Sequence, residues 1–219
     1  MTELTKRILT SFFLLFILFL SFTDLKIILI SLFIINFLVI DEFIKIFKKI
    51  NKSSLFKQFF TIFLSILYMV YFTLTIVLFL IEAFELNKVS LLFLLIICIS
   101  SDIGGYVFGK AIGGKKLTKI SPNKTYAGLF GSIIFSLIFG YLFHTLNYNI
   151  LETKMNFFIF IILISLISQI GDLIISIFKR IAKIKDTGSF LPGHGGILDR
   201  FDGILLSIPL GIILFKIFL

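Results

Sequence analysis

The stretch LFKQFFTIFLSILYMVYFTLTIVLFLIEAF, residues 55–84, decides the fold class of this chain. Lys57 and Glu82 are its only charged residues. An apolar stretch of this length is typical of a membrane-spanning helix. Because it is longer than the about 20 residues that cross a bilayer, it predicts either one tilted or kinked crossing or two short helices.

The composition of the whole chain agrees with this stretch. Of its 219 residues 58% are hydrophobic and 15% are charged, whereas soluble domains have about 45–50% apolar and about 25% charged residues. This excludes both a soluble globular core and intrinsic disorder. Thirty Phe, three Pro and no Trp favour long apolar helices over a turn-rich β fold. The sequence therefore predicts an all-α, polytopic integral membrane protein.

Seven apolar stretches follow one another along the chain. They comprise residues 8–22, 27–40, 55–84, 89–109, 126–143, 157–178 and 203–219. Between the second and third, residues 41–54 form a charged connector whose lysines are expected to face water or lipid headgroups. We interpret the first stretch as a retained span, because no small-residue cleavage site follows it. Cys98 is the only cysteine, which excludes an internal disulfide and a cysteine-rich metal site.

The charges of the loops predict the orientation. Twenty-one Lys and Arg against twelve Asp and Glu give a net charge of +9, and the basic residues cluster in four regions between apolar stretches. The positive-inside rule places all four in the cytoplasm, which requires residues 55–84 to cross an odd number of times. About seven spans with a cytoplasmic N-terminus follow. In this setting the basic excess indicates orientation and anionic lipid, and no nucleic-acid partner is expected.

We expect a single membrane domain, residues 1–219. Residues 1–88 would supply N-terminal helices for scaffolding, dimerisation or lipid access. Residues 89–219 would form the catalytic portion, with cytoplasmic loops at 110–125 and 179–202. This division follows from where the polar motifs lie.

Two carboxylates inside apolar stretches are more than a plain anchor needs. Asp102 and Asp172 precede the first basic residue of the next loop by eight and seven residues, or roughly 10–12 Å of helix. A carboxylate at such depth is costly and normally faces a partner, a wet cavity or an ion. Pairing with a loop lysine is the structural alternative. Tyr106 shares the helical face of Asp102, and the glycines around it suit close helix packing.

The loop after the fourth stretch contains GKAIGGKK, residues 109–116. It is not a P-loop, because Lys116 stands where Ser or Thr binds magnesium and no strand precedes it. Its lysines and glycine N–H groups still suit a polyphosphate. Ser121, Lys124 and Thr125 follow at the start of the fifth stretch, where free helix N–H groups favour anions. An ordinary capped helix with a snorkelling lysine explains the same residues.

The most informative polar segment is SIFKRIAKIKDTGSFLPGHGGILDRFD, residues 176–202. Asp199 and Asp202 are three residues apart and share a face if the last helix begins near them. With Asp172 they offer three oxygen ligands beside clustered Lys and Arg. Magnesium takes one or two carboxylates and completes its shell with water and phosphates, and phosphoryl or nucleotidyl transfer needs such a metal among cations.

This segment resembles the signature of the phosphatidate cytidylyltransferases, also called CDP-diacylglycerol synthases. Every fixed position of that signature is met: Ser176, Lys179, Arg180, Lys185, Asp186, Gly188, Leu191, Pro192, His194, Gly195, Gly196, Asp199, Arg200 and Asp202. Residues 102–106 and 121–128 are similar to two further family motifs, with Gly105 in place of Ala and Ala127 in place of Glu. The resemblance covers roughly residues 91–219.

The resemblance implies transfer of a cytidylyl group from CTP to phosphatidic acid in phospholipid biosynthesis, with Mg²⁺ as cofactor. A second metal or a monovalent cation stays open. It also implies a homodimer in a bacterial-type inner membrane, with the active site facing the cytoplasm. Carried over by position, the metal ligands are Asp172, Asp199 and Asp202, and the phosphate-binding cations are Lys124, Lys179, Arg180 and Arg200. The remaining substrate-binding residues are Asp102, Tyr106, Ser121, Thr125, Ser176, Lys185, Asp186, His194, Gly195 and Gly196.

Other functions compete with this interpretation. A related enzyme could use CTP on another membrane lipid, such as an isoprenoid ether lipid phosphate or a polyprenol. The motif of the CDP-alcohol phosphotransferases is absent, which disfavours that class. A transporter or channel would use Asp102 and Asp172 as ion or proton sites but leaves the cation-rich loop unexplained. Ala127 motivates a catalytically inactive family member.

Overall fold

A computed structural model of the chain describes residues 3–118, 121, 124–146, 155–191 and 195–218. Within these ranges the structure consists of seven α-helices joined by loops, and its β-pairing is confined to two isolated bridges. The helices are α1 (Glu3–Ser21), α2 (Leu25–Ile50), α3 (Leu55–Glu82), α4 (Phe84–Ala111), α5 (Tyr126–Leu146), α6 (Met155–Ile181) and α7 (Leu198–Phe218). The all-α prediction is confirmed.

The helices have the length and polarity of membrane spans. Five of them, α2 to α6, are long and apolar enough to cross a bilayer. Many large apolar side chains point outward, including Phe33 and Phe56, which are 75% and 79% exposed. Soluble proteins bury such side chains, so this outer surface suits lipid. The chain is a polytopic membrane protein, while seven crossings and a cytoplasmic N-terminus stay predictions.

Two helices correct the boundaries expected from sequence. Helix α3 is continuous from Leu55 to Glu82, about 42 Å long at helical rise, so the alternative of two short helices is wrong. Helix α2 continues to Ile50, so most of the expected charged connector is helical and residues 51–54 alone link α2 to α3. The reason is spacing: Val39, Phe43 and Ile46 recur on one face and are buried.

The chain divides into two compact units. Unit 1 comprises Met1–Phe84 and Phe178–Phe201, and unit 2 comprises Glu85–Ile177 and Asp202–Leu219. Helices α6 and α7 each contribute residues to both. The predicted division at residues 88 and 89 is a statement about roles and stays a prediction.

In unit 1, α2 packs against both α1 and α3. Met69, Phe72 and Leu80 of α3 are among the most buried side chains. Residues 178–201 join this unit, and the ring of Phe178 packs edge-on against Phe47 of α2 at 5.3 Å between centroids. The segment between α6 and α7, residues 182–197, is called the signature loop below. It belongs to the same unit as α2.

In unit 2, an aromatic cluster forms the centre of the core. The ring of Phe93 stacks on those of Phe157 and Phe160 at 5.9 and 6.2 Å between centroids. Buried hydroxyls supply polar contacts between helices, as where the Ser101 and Ser165 oxygens lie 3.0 Å apart. Dense packing of this kind makes a rigid frame for the polar residues at the helix ends.

Candidate functional site

Helices α4 and α5 of unit 2 touch through glycines. A Cβ at Gly104 would lie 2.3–2.9 Å from Gly131 backbone and Phe135, and one at Gly128 would lie 2.9 Å from the Gly105 carbonyl oxygen. Only glycine permits this approach of two backbones. The packing interpretation of these glycines is thus confirmed, and its consequence is that Asp102 and Tyr106 lie beside the start of α5.

The loop before α5 folds back on itself. The Leu117 N–H donates to the Lys124 carbonyl oxygen at 2.8 Å, and the Tyr126 N–H donates to that of Lys115 at 3.1 Å. An isolated bridge between Lys116 and Thr125 has the same origin. This pairing holds Lys124 where its ammonium group reaches α6, while Thr125 Oγ1 accepts from the Gly128 N–H at 3.0 Å.

Lys124 forms an ion pair with Asp172 of α6. Its Nζ lies 2.6 Å from Asp172 Oδ2 and 3.3 Å from the Gln169 carbonyl oxygen. Ser176 donates to Asp172 Oδ1 at 3.3 Å. Both charged side chains are mostly buried, with 20% and 28% exposed. The sequence leaves a loop lysine and an ion site as alternatives for Asp172. The structure provides the lysine, and the position of the ion pair decides what else Asp172 can bind.

The pair lies at a cavity of about 280 Å³ inside unit 2, close to the lower limit of ordinary small-ligand sites. Its polar lining contains six residues predicted from the sequence: Asp102, Tyr106, Ser121, Lys124, Thr125 and Asp172. Residues 70 positions apart in the chain are thereby brought to one place. The cavity offers a cation, hydroxyls and carboxylates, which is the donor set a metal-bound polyphosphate requires.

A second close helix contact places Asp202 near this acidic group. A Cβ at Gly171 would lie 2.6 Å from the Asp202 carbonyl oxygen, so α6 and α7 cross tightly there. The Asp202 carboxyl accepts from the Gly203 N–H at 2.8 Å and interacts electrostatically with Asp172 and Asp102. Three acids thus lie within electrostatic range of one another in unit 2.

The chemistry of this group fits a hard divalent cation. Carboxylate oxygens are the protein ligands that Mg²⁺ uses, and a bound cation offsets the repulsion between like charges. Among the described residues, however, no three His, Cys, Asp or Glu side chains are drawn together closely enough to enclose a metal ion. Since Mg²⁺ usually retains several waters and binds one or two carboxylates, Asp172 and Asp202 stay the predicted ligands.

Unit 1 contains a separate group around Asp199, in the first turn of α7. Lys179 Nζ lies 2.7 Å from Asp199 Oδ1. Asp199 Oδ2 accepts from the Thr187 N–H at 2.8 Å and from the Gly196 N–H at 3.1 Å, and the Thr187 hydroxyl oxygen lies 3.0 Å away. The condition that α7 begins near Asp199 is met, because the helix starts at Leu198. This carboxylate organises the signature loop.

The surroundings of Asp199 favour its ionised form. Asp199 precedes the apolar part of α7. Burial opposes ionisation, but the hydrogen bond from Lys179 and those from the Thr187 and Gly196 N–H groups outweigh it and hold the pKa of this carboxyl below its ordinary value. A metal at Oδ1 would compete with Lys179, so the predicted role of Asp199 as a ligand stays a prediction.

Glu42 is the functional candidate that sequence reasoning missed. It lies in α2, 3% exposed, and accepts from the Ile197 N–H at 2.9 Å, from the Leu198 N–H at 3.0 Å and from the Thr187 hydroxyl at 2.5 Å. Its signal was available: Glu42 occupies the apolar face of α2 that Val39, Phe43 and Ile46 define. An acid on a buried face indicates a partner.

The remaining predicted residues lie at the end of α6, in the signature loop, in the first turn of α7 or outside the described ranges. Arg180, Lys185, Asp186 and Arg200 are exposed. Gly195 has a φ of +83°, a left-handed conformation that favours glycine, and a Cβ there would lie 3.1 Å from Asp199 Oδ2. His194 falls outside the described residues. Gln169, not predicted, lines the unit 2 cavity beside Asp172.

Comparison with known proteins gives a consistent answer. A model described as the cytidylyltransferase family matches residues 4–218. Among similar proteins are the phosphatidate cytidylyltransferases of Staphylococcus epidermidis, 41% identical over 124 residues, and of Bacillus subtilis, 39% identical over 137 residues. That of Haemophilus influenzae is 39% identical over 123 residues. The matches cover 55%, 59% and 54% of this chain and 46%, 49% and 43% of those proteins. The chain thus spans about half the length of the curated relatives it matches.

Proposed function

The chain belongs to the cytidylyltransferase family, and from that premise we propose that it transfers the cytidylyl group of CTP to phosphatidic acid. The products are CDP-diacylglycerol and pyrophosphate. The observation that carries the proposal is the unit 2 cavity, where Lys124, Thr125 and Ser121 lie with Asp102 and Asp172. Several bacterial relatives are named phosphatidate cytidylyltransferase, which supports the choice of lipid.

The reaction is a displacement at phosphorus. An oxygen of the lipid phosphate forms a bond to the α-phosphorus of CTP, and the bond from that phosphorus to the oxygen bridging the α- and β-phosphates breaks. Pyrophosphate leaves with the bonding electron pair. A phosphate monoester has a second pKa near 6, so the lipid phosphate is largely a dianion at neutral pH and no protein base is needed to activate it.

The barrier lies in bringing several anions together. Lys124 supplies a fixed positive charge, and its 2.6 Å ion pair with Asp172 restricts where its ammonium group can bind phosphate. The hydroxyls of Ser121 and Thr125 line the same cavity and can donate to phosphate oxygens. Preorganised donors of this kind stabilise charge that develops in the transition state. Mg²⁺, when bound by Asp172 and Asp202, would offset phosphate charge and align the reacting oxygens.

The cellular location and the oligomeric state are part of the proposal. We infer a bacterial inner membrane, because the relatives are bacterial enzymes and the chain is a polytopic membrane protein. The basic loops, including residues 179–185, favour an active site on the cytoplasmic side, where CTP is present. Dimerisation is an expectation from the family resemblance, and analytical ultracentrifugation in detergent would test it.

The test is an assay on purified protein in mixed micelles containing phosphatidic acid, CTP and Mg²⁺. Pyrophosphate release that requires all three, with CDP-diacylglycerol as the lipid product, is the expected result. Replacing phosphatidic acid by a polyprenol or an isoprenoid ether lipid phosphate should abolish most of the turnover. Preference for one of those lipids would overturn the choice of acceptor. No turnover of any lipid by folded protein would contradict the proposal and direct attention to Ala127.

In the same assay, Asp199→Asn tests the metal assignment separately. Loss of activity with a raised Mg²⁺ requirement would support Asp199 as a ligand. Loss without that change would assign Asp199 to the loop structure, in agreement with its hydrogen bonds to Thr187 and Gly196. Full activity would overturn both roles and leave the proposed reaction standing.

A further inference from the structure

Glu42 is a carboxylate buried at the start of another helix. Its two oxygens accept from the Ile197 and Leu198 N–H groups, which belong to the N-terminal end of α7. Those groups have no partner inside the helix, and the positive end of the helix dipole favours a negative charge there. Glu42 therefore caps α7 from a helix more than 150 residues earlier in the chain.

Two glycines of the signature make room for this carboxylate. A Cβ at Gly188 would lie 2.5 Å from Glu42 Oε1, and a Cβ at Gly196 would overlap both the Glu42 carboxylate and the Thr187 hydroxyl. Any side chain at these positions would push Glu42 away from its donors. The Glu42 carboxylate of α2 therefore explains why Gly188 and Gly196 carry no side chain.

The same loop residues connect Glu42 to Asp199. The Thr187 hydroxyl lies 2.5 Å from Glu42 Oε2 and 3.0 Å from Asp199 Oδ2. The Thr187 and Gly196 N–H groups donate to Asp199 Oδ2. Asp199 in turn binds Lys179 at 2.7 Å. The Thr187 hydroxyl has a single proton, which the shorter contact assigns to Glu42, and Thr187 reaches Asp199 through its N–H. Glu42, Thr187, Asp199 and Lys179 are thereby connected within unit 1.

We propose that Glu42 is a positioning residue for the transfer reaction. It holds the signature loop and the first turn of α7 so that Asp199 and Lys179 keep their orientation. Burying a carboxylate costs more than burying an apolar side chain of similar size, so packing alone does not account for Glu42. The inference rests on the proposed function, because Asp199 and Lys179 matter here for the reaction.

Glu42→Gln tests it, with Asp41→Asn as the matched control. Gln keeps the size of the side chain but turns one acceptor into a donor that faces N–H and O–H donors. Asp41 neighbours Glu42 in sequence, yet it is exposed and pairs with Lys45 on the same helix. We expect kcat to fall about 10–100-fold in Glu42→Gln, the range seen when outer groups that orient active-site ligands are removed. Asp41→Asn should stay within about twofold of wild type.

A readout apart from turnover separates positioning from general stability. Amide hydrogen exchange in detergent should become faster at Thr187, Gly196, Ile197 and Leu198 in Glu42→Gln, while the amides of the α3 core keep their protection. The KM for phosphatidic acid should change less than kcat. Uniform loss of protection across the chain, or a kcat equal to that of Asp41→Asn, would overturn the proposal.

If Glu42→Gln does not fold, Thr187 provides the second test. Thr187→Ser keeps the hydroxyl that donates to Glu42, whereas Thr187→Val removes it at similar volume. Serine should retain most of the wild-type kcat, and valine should lower it as in Glu42→Gln. Equal kcat in the two variants would contradict the role of the link. Wild-type protein without any lipid-dependent use of CTP would refute the proposed function instead, and hydrogen exchange would still report on the Glu42 contacts.

Discussion

In unit 1 the carboxylates of Glu42 and Asp199 accept hydrogen bonds from backbone N–H groups, a hydroxyl and an ammonium. In unit 2 the carboxylate of Asp202 interacts electrostatically with those of Asp172 and Asp102, and the latter two line a cavity with Lys124. The same functional group therefore serves two purposes. Carboxylates surrounded by donors hold a loop in place, and carboxylates crowded together at a cavity create a demand for cations.

This contrast assigns different consequences to mutation. Loss of a charge in unit 2 should affect the binding of metal and phosphate directly, since the charge itself meets the ligand. Loss of a charge in unit 1 should first release the loop and reach the chemistry through it. We expect the largest loss from charges in unit 2 and smaller losses from packing and from single hydroxyls.

Asp172→Asn should have the largest effect. It removes the negative charge that orients Lys124 at 2.6 Å and that would hold Mg²⁺, so we expect cytidylyl transfer to fall about 100–1,000-fold. The half-saturating Mg²⁺ concentration should rise in parallel. Asp41→Asn serves as the control. Wild-type turnover in Asp172→Asn would contradict the statement that the unit 2 carboxylates meet metal or substrate while those of unit 1 hold a loop.

Lys124→Met should follow. The side chain keeps its length and loses its charge. The Asp172 carboxylate then loses its ion-pair partner, and the polyphosphate loses a fixed cation. We expect kcat/KM for CTP to fall about 10–100-fold, or about 1.4–2.7 kcal/mol. Lys45→Met, an exposed lysine paired with Asp41, is the control. If both lysine variants have equal kcat/KM, Lys124 does not bind substrate.

Gly131→Ala tests the packing that places the cavity. Its Cβ would lie 2.4–2.6 Å from Phe108 and the Gly104 carbonyl oxygen, so the free energy of unfolding should fall by about 1–3 kcal/mol. Gly109→Ala is the matched control, because its Cβ would find its nearest neighbour, Thr125 Oγ1, at 3.4 Å. Thermal unfolding in detergent measures both. A larger loss in Gly109→Ala would contradict the contact described between α4 and α5.

Ser176→Ala should have the smallest effect. The Ser176 hydroxyl donates to Asp172 Oδ1 over 3.3 Å, a long hydrogen bond beside a much shorter ion pair. Its net contribution should be about 0.5–1.5 kcal/mol, which corresponds to a few-fold lower kcat/KM in the CTP assay. A loss comparable to that of Asp172→Asn would show that Ser176 itself meets the substrate.

Much of the fold and of the unit 2 cavity could be predicted from the sequence. The apolar stretches give the helices, and acids or lysines inside or next to them are costly enough to mark Asp102, Asp172 and Lys124. Glycine spacing indicated a close packing that the contacts of Gly104 and Gly131 confirm. What these features share is a local signal that one segment carries by itself.

The contacts between distant segments could not be predicted in this way. Glu42 was placed in a charged connector because its neighbours Asp41 and Lys45 are polar, whereas the helical face it shares with Val39 and Phe43 is buried. Its donors, Ile197 and Leu198, offer backbone groups that no side chain reveals. The hydrogen bonds that Asp199 accepts from Lys179, Thr187 and Gly196 likewise depend on how the signature loop folds.

We propose that this chain moves a cytidylyl group onto a lipid phosphate by means of the unit 2 cavity. The most direct measurement compares CTP radiolabelled on the α-phosphate with CTP radiolabelled on the γ-phosphate, incubated with protein, Mg²⁺ and phosphatidic acid micelles. We expect α-label to enter the lipid and γ-label to leave as pyrophosphate, and Asp172→Asn to abolish both. Entry of γ-label into the lipid would identify a kinase, and label transfer that Asp172→Asn leaves unchanged would contradict the site.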